Sequence, residues 1–204
     1  MPMFLKLSCI IFFLGVTPFS NSRRTEPNHE IWNSLLNDYV DDQAQVDYKR
    51  LKEEALDRLD AYATHLATAH PPDPNSAHGK AFLINAYNAL VVQWVVLHYP
   101  TESIMSTPNP FRKARHTVAG KIVSLDEIES QLRTTEDPRI HSALVCAALS
   151  CPPLRNEAYV AEQVDQQLDD NTRQWLANPK LNEFDTTLGP VSYTHLTLPT
   201  ILRV

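Results

Sequence analysis

"KAFLINAYNALVVQWVVLHYP", residues 80–100, constrains this chain more than any other stretch. It is apolar nearly all round, so a helix built from it cannot keep one face in water. It must lie at the centre of the fold, with neighbours on every side. Pro100 ends it. Asn85 and Asn88 sit in its first half, three apart and therefore on one face. A buried amide without partners costs about 1–3 kcal/mol. The pair are either structural anchors or site residues.

The flanking segments read as the shell around that helix. "HEIWNSLLNDYV" (29–40) places Ile31, Leu35 and Leu36 at helical spacing, with Trp32 and Tyr39 beside them. In "VDYKRLKEEALDRLDAYATHLATA" (46–69), Leu51, Ala55, Leu59, Tyr62 and Leu66 form a stripe with charges opposite. That predicts one amphipathic helix starting near Asp47 as N-cap. "HPPDPNSAHG" breaks it, and residues 101–116 read as loop. "RHTVAGKIVS" (115–124) alternates around Ala119-Gly120 and predicts a small hairpin. Ser124, with Glu127 three residues on, is a capping box for a helix over 124–133. Asp137 and Pro138 suit the N-cap and first position of the next helix, predicted to run to just before Pro152. "NEAYVAEQVDQQLDDNTRQWLANP" (156–179) predicts a last long amphipathic helix from Asn156, and "NEFDTTLGP" an extended piece. The fold class is mainly α (α+β with one small β-hairpin), in a single compact domain.

The two ends are set apart. Lys6, the apolar run Leu7–Val16 and small residues at Ser20 and Ser22 have the order of an export signal, so residues 1–22 are expected to be removed. About ten apolar residues are too few to span a bilayer comfortably, and no stable membrane span is expected after removal. A lipoprotein cysteine would follow the apolar run, which Cys9 does not. At the other end, "VSYTHLTLPT" (191–200) resembles a translated sequencing-library adapter and nothing upstream. Residues 191–204 are therefore expected to be an artefact, and His195 is no site candidate. The domain then occupies 23–190, and a periplasmic or secreted location follows from the signal.

Charge excludes some functions. The formal net charge is −6, and it becomes −8 when Lys6 and Arg203, the two cations outside 23–190, are set aside. An acidic domain without a basic cluster argues against a nucleic-acid surface. Four glycines, with no G-x-G-x-x-G and no phosphate loop, give no support to a nucleotide cofactor, and none is expected.

Chemistry concentrates in "RIHSALVCAALSCPPLR" (139–155), which holds His141, Cys146 and Cys151. Within one helix, His141 and Cys146 would point roughly 140° apart, a poor dyad. His141 with Cys151 is better, because Cys151 lies past the helix end where the chain can fold back. A thiol nucleophile also needs a third group to orient its base, for which Asn85, Asn88 or Glu129 are candidates. Alternatively the cysteines pair with each other in an oxidising compartment. Residues five apart in a straight helix are too distant for that, so the helix would have to unwind near Ser150. A zinc site lacks any finger spacing and a fourth ligand, and no metal is expected. The last alternative is buried thiols packing as small apolar groups beside a satisfied core histidine. Arg139, one turn from His141, is a candidate to fork onto a carboxylate, from Glu129 or from a ligand. Arg133 reads as an ordinary exposed ion pair.

Taken in order, "AFLINAYNAL", "YPTESI", "SLDEIESQLR", "RIHSALVCAALSCPPLR" and "EAYVAEQVDQQLD" resemble the domain-of-unknown-function 547 family, from about Trp32 to Pro190. "INAYNAL" and the His-Cys-Cys-Pro-Pro block are the most specific parts. Leu83 stands where the family pattern carries tryptophan, and a "WY…DF" segment of the family would lie beyond Pro190. The resemblance implies an exported or envelope-associated bacterial domain, also found in plant proteins, with no established biochemistry.

Two functions follow from these readings. One is a non-catalytic envelope binding or scaffold domain with a polar cleft, in which Cys151, His141, Asn85 and Asn88 belong to a polar core network plus a disulfide, and Asn88, Arg139, Cys146 and Glu129 are the candidate binding residues. The other is a cysteine-dependent hydrolase or transferase on peptide or amide substrates, with Cys151 as nucleophile, His141 as base and Asn85 or Asn88 as orienter. The expected partner is an envelope component or a peptide-like ligand. The cleft is expected between the "INAYNAL" helix and the end of the cysteine-bearing helix.

Overall fold

The computed structural model describes residues 28–70, 72–147 and 151–179. The apolar stretch forms helix α4, Ala77–His98, three residues longer at its start than its hydrophobic pattern. Ser76 caps it by accepting from Gly79 N–H at 3.0 Å. Gly79 cannot carry a side chain, because a Cβ there would sit 1.9 Å from the Asp73 carbonyl oxygen. The 73–76 turn is thereby packed directly onto the helix.

Helix α4 is long and apolar enough to cross a membrane, yet most of it is buried inside the protein. The surrounding elements are α1 (Glu30–Tyr39), α2 (Tyr48–Glu54), α3 (Leu56–Thr68), α5 (Leu125–Arg133) and α6 (Val164–Ala177). Of these, α2, α3, α5 and α6 pack on α4 directly, and α1 packs on α2 and α3. Their apolar stripes close one core that includes Trp32, Leu35, Leu51, Leu59, Leu66, Ile128 and Leu168. The chain is mainly α with one small hairpin, as the sequence predicts.

That hairpin pairs β1 (His116–Val118) with β2 (Lys121–Val123) in antiparallel register, His116 opposite Val123. Ala119 and Gly120 both have positive φ, 50° and 74°, which a two-residue type I′ turn requires. Their N–H groups donate to the Leu66 and Ala67 carbonyls, each at 2.8 Å. The turn thus satisfies carbonyls that the end of α3 leaves open. The capping box at the start of α5 is complete, with Ser124 and Glu127 bonded in both directions.

Three expectations need correction. The single helix over 46–69 is two helices, broken at Ala55 (φ −140°, ψ 18°). No proline or glycine marks the break; it turns α2 so that Lys52 Nζ reaches the Tyr99 carbonyl at the end of α4, at 2.5 Å. The helix predicted to carry the cysteines is only a 3-10 helix, Pro138–Ser142. The last helix starts at Val164 rather than Asn156. The expectations for residues 1–22, 182–190 and 191–204 lie outside the described residues.

Candidate functional site

The cysteine block and the stretch before α6 depart from their predicted helices for the same cause. Asn85 on α4 donates its amide to the Tyr159 carbonyl at 2.8 Å and accepts the Tyr159 N–H at 3.0 Å. It holds both backbone groups of one residue, as a neighbouring strand would. Asn88 does the same for the other segment, donating to the Ala143 carbonyl at 2.9 Å and accepting Val145 N–H at 3.1 Å. Both asparagines are buried.

Further amides complete the pattern. Gln167 accepts Val160 N–H at 3.0 Å and donates to the Ala158 carbonyl at 3.0 Å. Asn171 donates to the Ser142 carbonyl at 2.6 Å and accepts from the Arg155 guanidinium at 3.3 Å. Asn33 on α1 accepts Ala158 N–H at 2.9 Å. Buried backbone must be hydrogen-bonded. Apart from the Ala143 and Leu144 N–H groups, which return to the Ile140 carbonyl, residues 142–145 and 157–160 have no ladder of their own, and side-chain amides from α1, α4 and α6 supply the missing partners. A helix over 139–151 would need the Ala143 carbonyl and Val145 N–H for its own ladder, so Asn88 competes against it.

After Leu144, whose N–H is the last to return to the Ile140 carbonyl, the chain therefore leaves the helix. Ala147 takes a positive φ of 55°, and the sulfurs of Cys146 and Cys151 lie at disulfide-bonding distance. Their Cα atoms are 6.0 Å apart, inside the range a disulfide spans. The unwinding comes earlier than Ser150. His141, at the end of the 3-10 helix, is exposed. Among the described residues no hydrogen bond or ion pair joins His141 to Cys146, Cys151, Asn85, Asn88 or Glu129. Glu129 instead pairs with Arg133 at 2.5 Å along α5, the exposed i,i+4 pair that the sequence reading assigns to Arg133.

Arg139 does fork onto carboxylates, and they belong to the chain itself. Its Nε and Nη2 donate to the two oxygens of Asp137 at 2.9 and 2.7 Å. Asp165 and Asp169 take further donors, each at 2.8 Å. Asp137 also receives Lys80 at 3.0 Å. The Arg139 fork, then Lys80, hold its carboxyl well below the usual carboxylate range. This cluster ties the 3-10 helix to α4 and α6.

An open cleft lies elsewhere. A cavity of about 390 Å³ is lined by His29, the N-cap of α1, by Glu30 and Asn33 at the start of that helix, by His78 and Ala81 from α4, and by residues 158 and 160–162. No residue of 139–155 lines it, so this cleft is not the one expected beside the cysteine block. His29 Nδ1 meets the hydroxyl of the fully buried Tyr62 at 2.6 Å. Tyr62 in turn stacks on Trp32, with ring centroids 5.8 Å apart. Burial, and then the neighbouring His65, push the His29 imidazole down to about 4, so it is neutral at pH 7. No motif in the sequence marks His29, Asn33 or Glu162. The available signal was the His29–Asn33 spacing of four, which sets both on one helix face. Among the described residues no three His, Cys, Asp or Glu side chains are grouped to hold a metal ion.

A family model described as protein of unknown function, DUF547, matches residues 73–176. That span takes in α4, the hairpin, α5, the cysteine block, the clamped segments and nearly all of α6. No curated protein and no solved structure matches the chain. With the family's span covering half the sequence and the core helix at its centre, the chain belongs to the DUF547 family of proteins of unknown function.

Proposed function

We propose that the chain is a non-catalytic binding or scaffold domain of the cell envelope. One observation carries this reading: the side chains that a cysteine-dependent enzyme would need are already committed to the fold. Asn85 and Asn88 spend their amides on backbone. Arg139 spends its fork on three aspartates. Cys146 and Cys151 lie within bonding distance of each other. A bonded pair suits the oxidising compartment that the signal-like amino terminus implies. A hydrolase or transferase using Cys151 and His141 would first need that pair reduced.

Thiol alkylation with mass spectrometry, on the exported natural protein, tests the proposal. The expected result is no alkylation of Cys146 or Cys151 until a reductant is added. One thiol that alkylates fast at neutral pH, and slows in His141→Ala, would mark an activated nucleophile and overturn the non-catalytic reading.

A further inference from the structure

The cleft at the start of α1 has a fixed hydrogen-bonding polarity. The Tyr62 hydroxyl is fully buried, and its partner is His29 Nδ1. If that nitrogen carried the ring proton, the phenolic hydrogen would be buried without an acceptor, at a cost folded proteins avoid. The hydroxyl therefore donates to Nδ1. The depressed titration of His29 keeps the ring neutral, so its single proton sits on Nε2. Burial also holds the Tyr62 phenol protonated, which preserves the donor. His29, which lines the cleft, thus carries its N–H donor on Nε2.

Asn33 is fixed in the same sense. Its Oδ1 accepts Ala158 N–H, which orients the amide and leaves the Nδ2 hydrogens as the other half of the group. His29 and Asn33 are four residues apart, joined by the helical bond from Asn33 N–H to the His29 carbonyl at 2.8 Å. Two neutral donors on one face suit a carbonyl oxygen. The charged groups of the lining point the other way. Glu30 and Glu162 contribute carboxylates, and no lysine or arginine lines the cavity. Both glutamates are exposed, so they stand at the rim. Such a rim repels anions and attracts an ammonium group.

We propose that this cleft binds a peptide-like ligand with a free ammonium group, its carbonyl oxygen received by His29 Nε2–H and Asn33 Nδ2–H and its ammonium by Glu30 and Glu162. The inference rests on the binding-domain reading and gives it a ligand class. The two fail separately, since the alkylation result reports on Cys151 and a peptide titration on residues 29–33 and 158–162.

The test is a nuclear magnetic resonance titration of the full 15N-labelled chain with alanyl-alanine amide. N-acetyl-alanyl-alanine amide serves as the neutral control, and N-acetyl-alanyl-alanine, with its free carboxylate, as the anionic one. The free protein is expected to show His29 as the Nε2–H tautomer at pH 7. The amide with a free amino group should shift His29, Ala158 and Glu162 saturably, and acetylation should weaken binding by roughly tenfold or more. Asn33→Asp keeps the acceptor for Ala158 N–H and replaces the donor by a carboxylate that itself attracts an ammonium, so the lost donor is read on the neutral N-acetyl-alanyl-alanine amide, whose binding should weaken by at least about tenfold with the circular dichroism spectrum unchanged. Glu162→Gln, on an exposed side chain, provides a variant that folds normally and should lose part of the preference for the free amine. An Nδ1–H tautomer would overturn the proposal. So would no saturable shift up to about 10 mM, where even a millimolar site is filled. Equal affinity for the acetylated peptides, or an indifferent Asn33→Asp, would also overturn it.

Discussion

Replacing Asn85 tests whether its amide holds the chain at Tyr159. Asn85→Leu keeps the branched shape and the number of heavy atoms, with somewhat more bulk, and removes both polar atoms. Tyr159 N–H and carbonyl, now bonded at 3.0 and 2.8 Å, then stay buried without partners. Each orphan costs about 1–3 kcal/mol, so the two cost about 2–6, and the added apolar contact returns about 1–2, for a net loss of about 1–4 kcal/mol. Against the 5–15 kcal/mol of a typical domain, urea midpoints read that loss easily. Asn85→Asp adds a signature that a generic cavity lacks. Its second oxygen faces the Tyr159 carbonyl in a site with no solvent exposure, which raises the carboxyl's titration above its unfolded value. Protonated, it donates to the carbonyl and accepts the N–H, reproducing both bonds. Between the unfolded and folded pKa the native state binds the extra proton, so the variant is least stable at high pH and recovers as pH falls. The deficit relative to the natural chain should therefore be large at pH 8 and shrink towards pH 5, while the Asn85→Leu deficit stays flat. An Asn85→Leu loss under about 1 kcal/mol, or an Asn85→Asp deficit independent of pH, would refute the clamp.

Two further predictions use the same assay. His29 titrates near 4 in the folded chain against 6.5 unfolded, so the unfolded state binds more protons between those values. The neutral ring contributes stability in full above pH 6.5, and about 3 kcal/mol of it is lost as pH falls to 4. His29→Asn keeps an acceptor for the Tyr62 hydroxyl without the titration and should flatten that slope; parallel slopes would refute the assignment. Arg139→Lys cannot fork onto Asp137, whose side chain is 8 % exposed. It should cost about 1–2 kcal/mol, reduced because Asp165 and Asp169 reach solvent. Arg112→Lys, at an arginine 80 % exposed, should leave the urea midpoint unchanged, and equal effects of the two substitutions would count against a structural cluster.

The elements that the sequence made legible are those whose determinants lie within a few residues. Helix α4 is apolar on every face, α5 opens on its own capping box, and the hairpin turns at Ala119-Gly120. The start of the cysteine block was legible for the same reason, because Asp137 accepts Arg139 N–H just ahead of the 3-10 helix. Its end was not. Nothing local to Ser142 stops a helix there; the competing group is Asn88, more than fifty residues upstream. Residues 156–163 keep a helical pattern and are still drawn out, because Asn85, Gln167 and Asn33 take their backbone. The cleft was missed because Tyr62 and Asn33 acquire their roles only when α1, α3 and residues 158–162 meet.

The polar residues of the core helix nevertheless contained the information in another form. An amide inside an apolar helix cannot use its own helix's backbone, which is already bonded to itself. Nor can it be left bare, at about 1–3 kcal/mol for each orphan group. It must therefore meet another polar partner, and in this chain both partners are irregular backbone docked at the level of each amide. Asn85 and Asn88 hold two stretches on one face of α4, and residues 157–160 and 142–145 are those stretches. On this argument the asparagines of "INAYNAL" are fixed by the loops they hold. Substitutions there should change stability and the shape of the 158–162 wall before they change any chemistry at the cysteines.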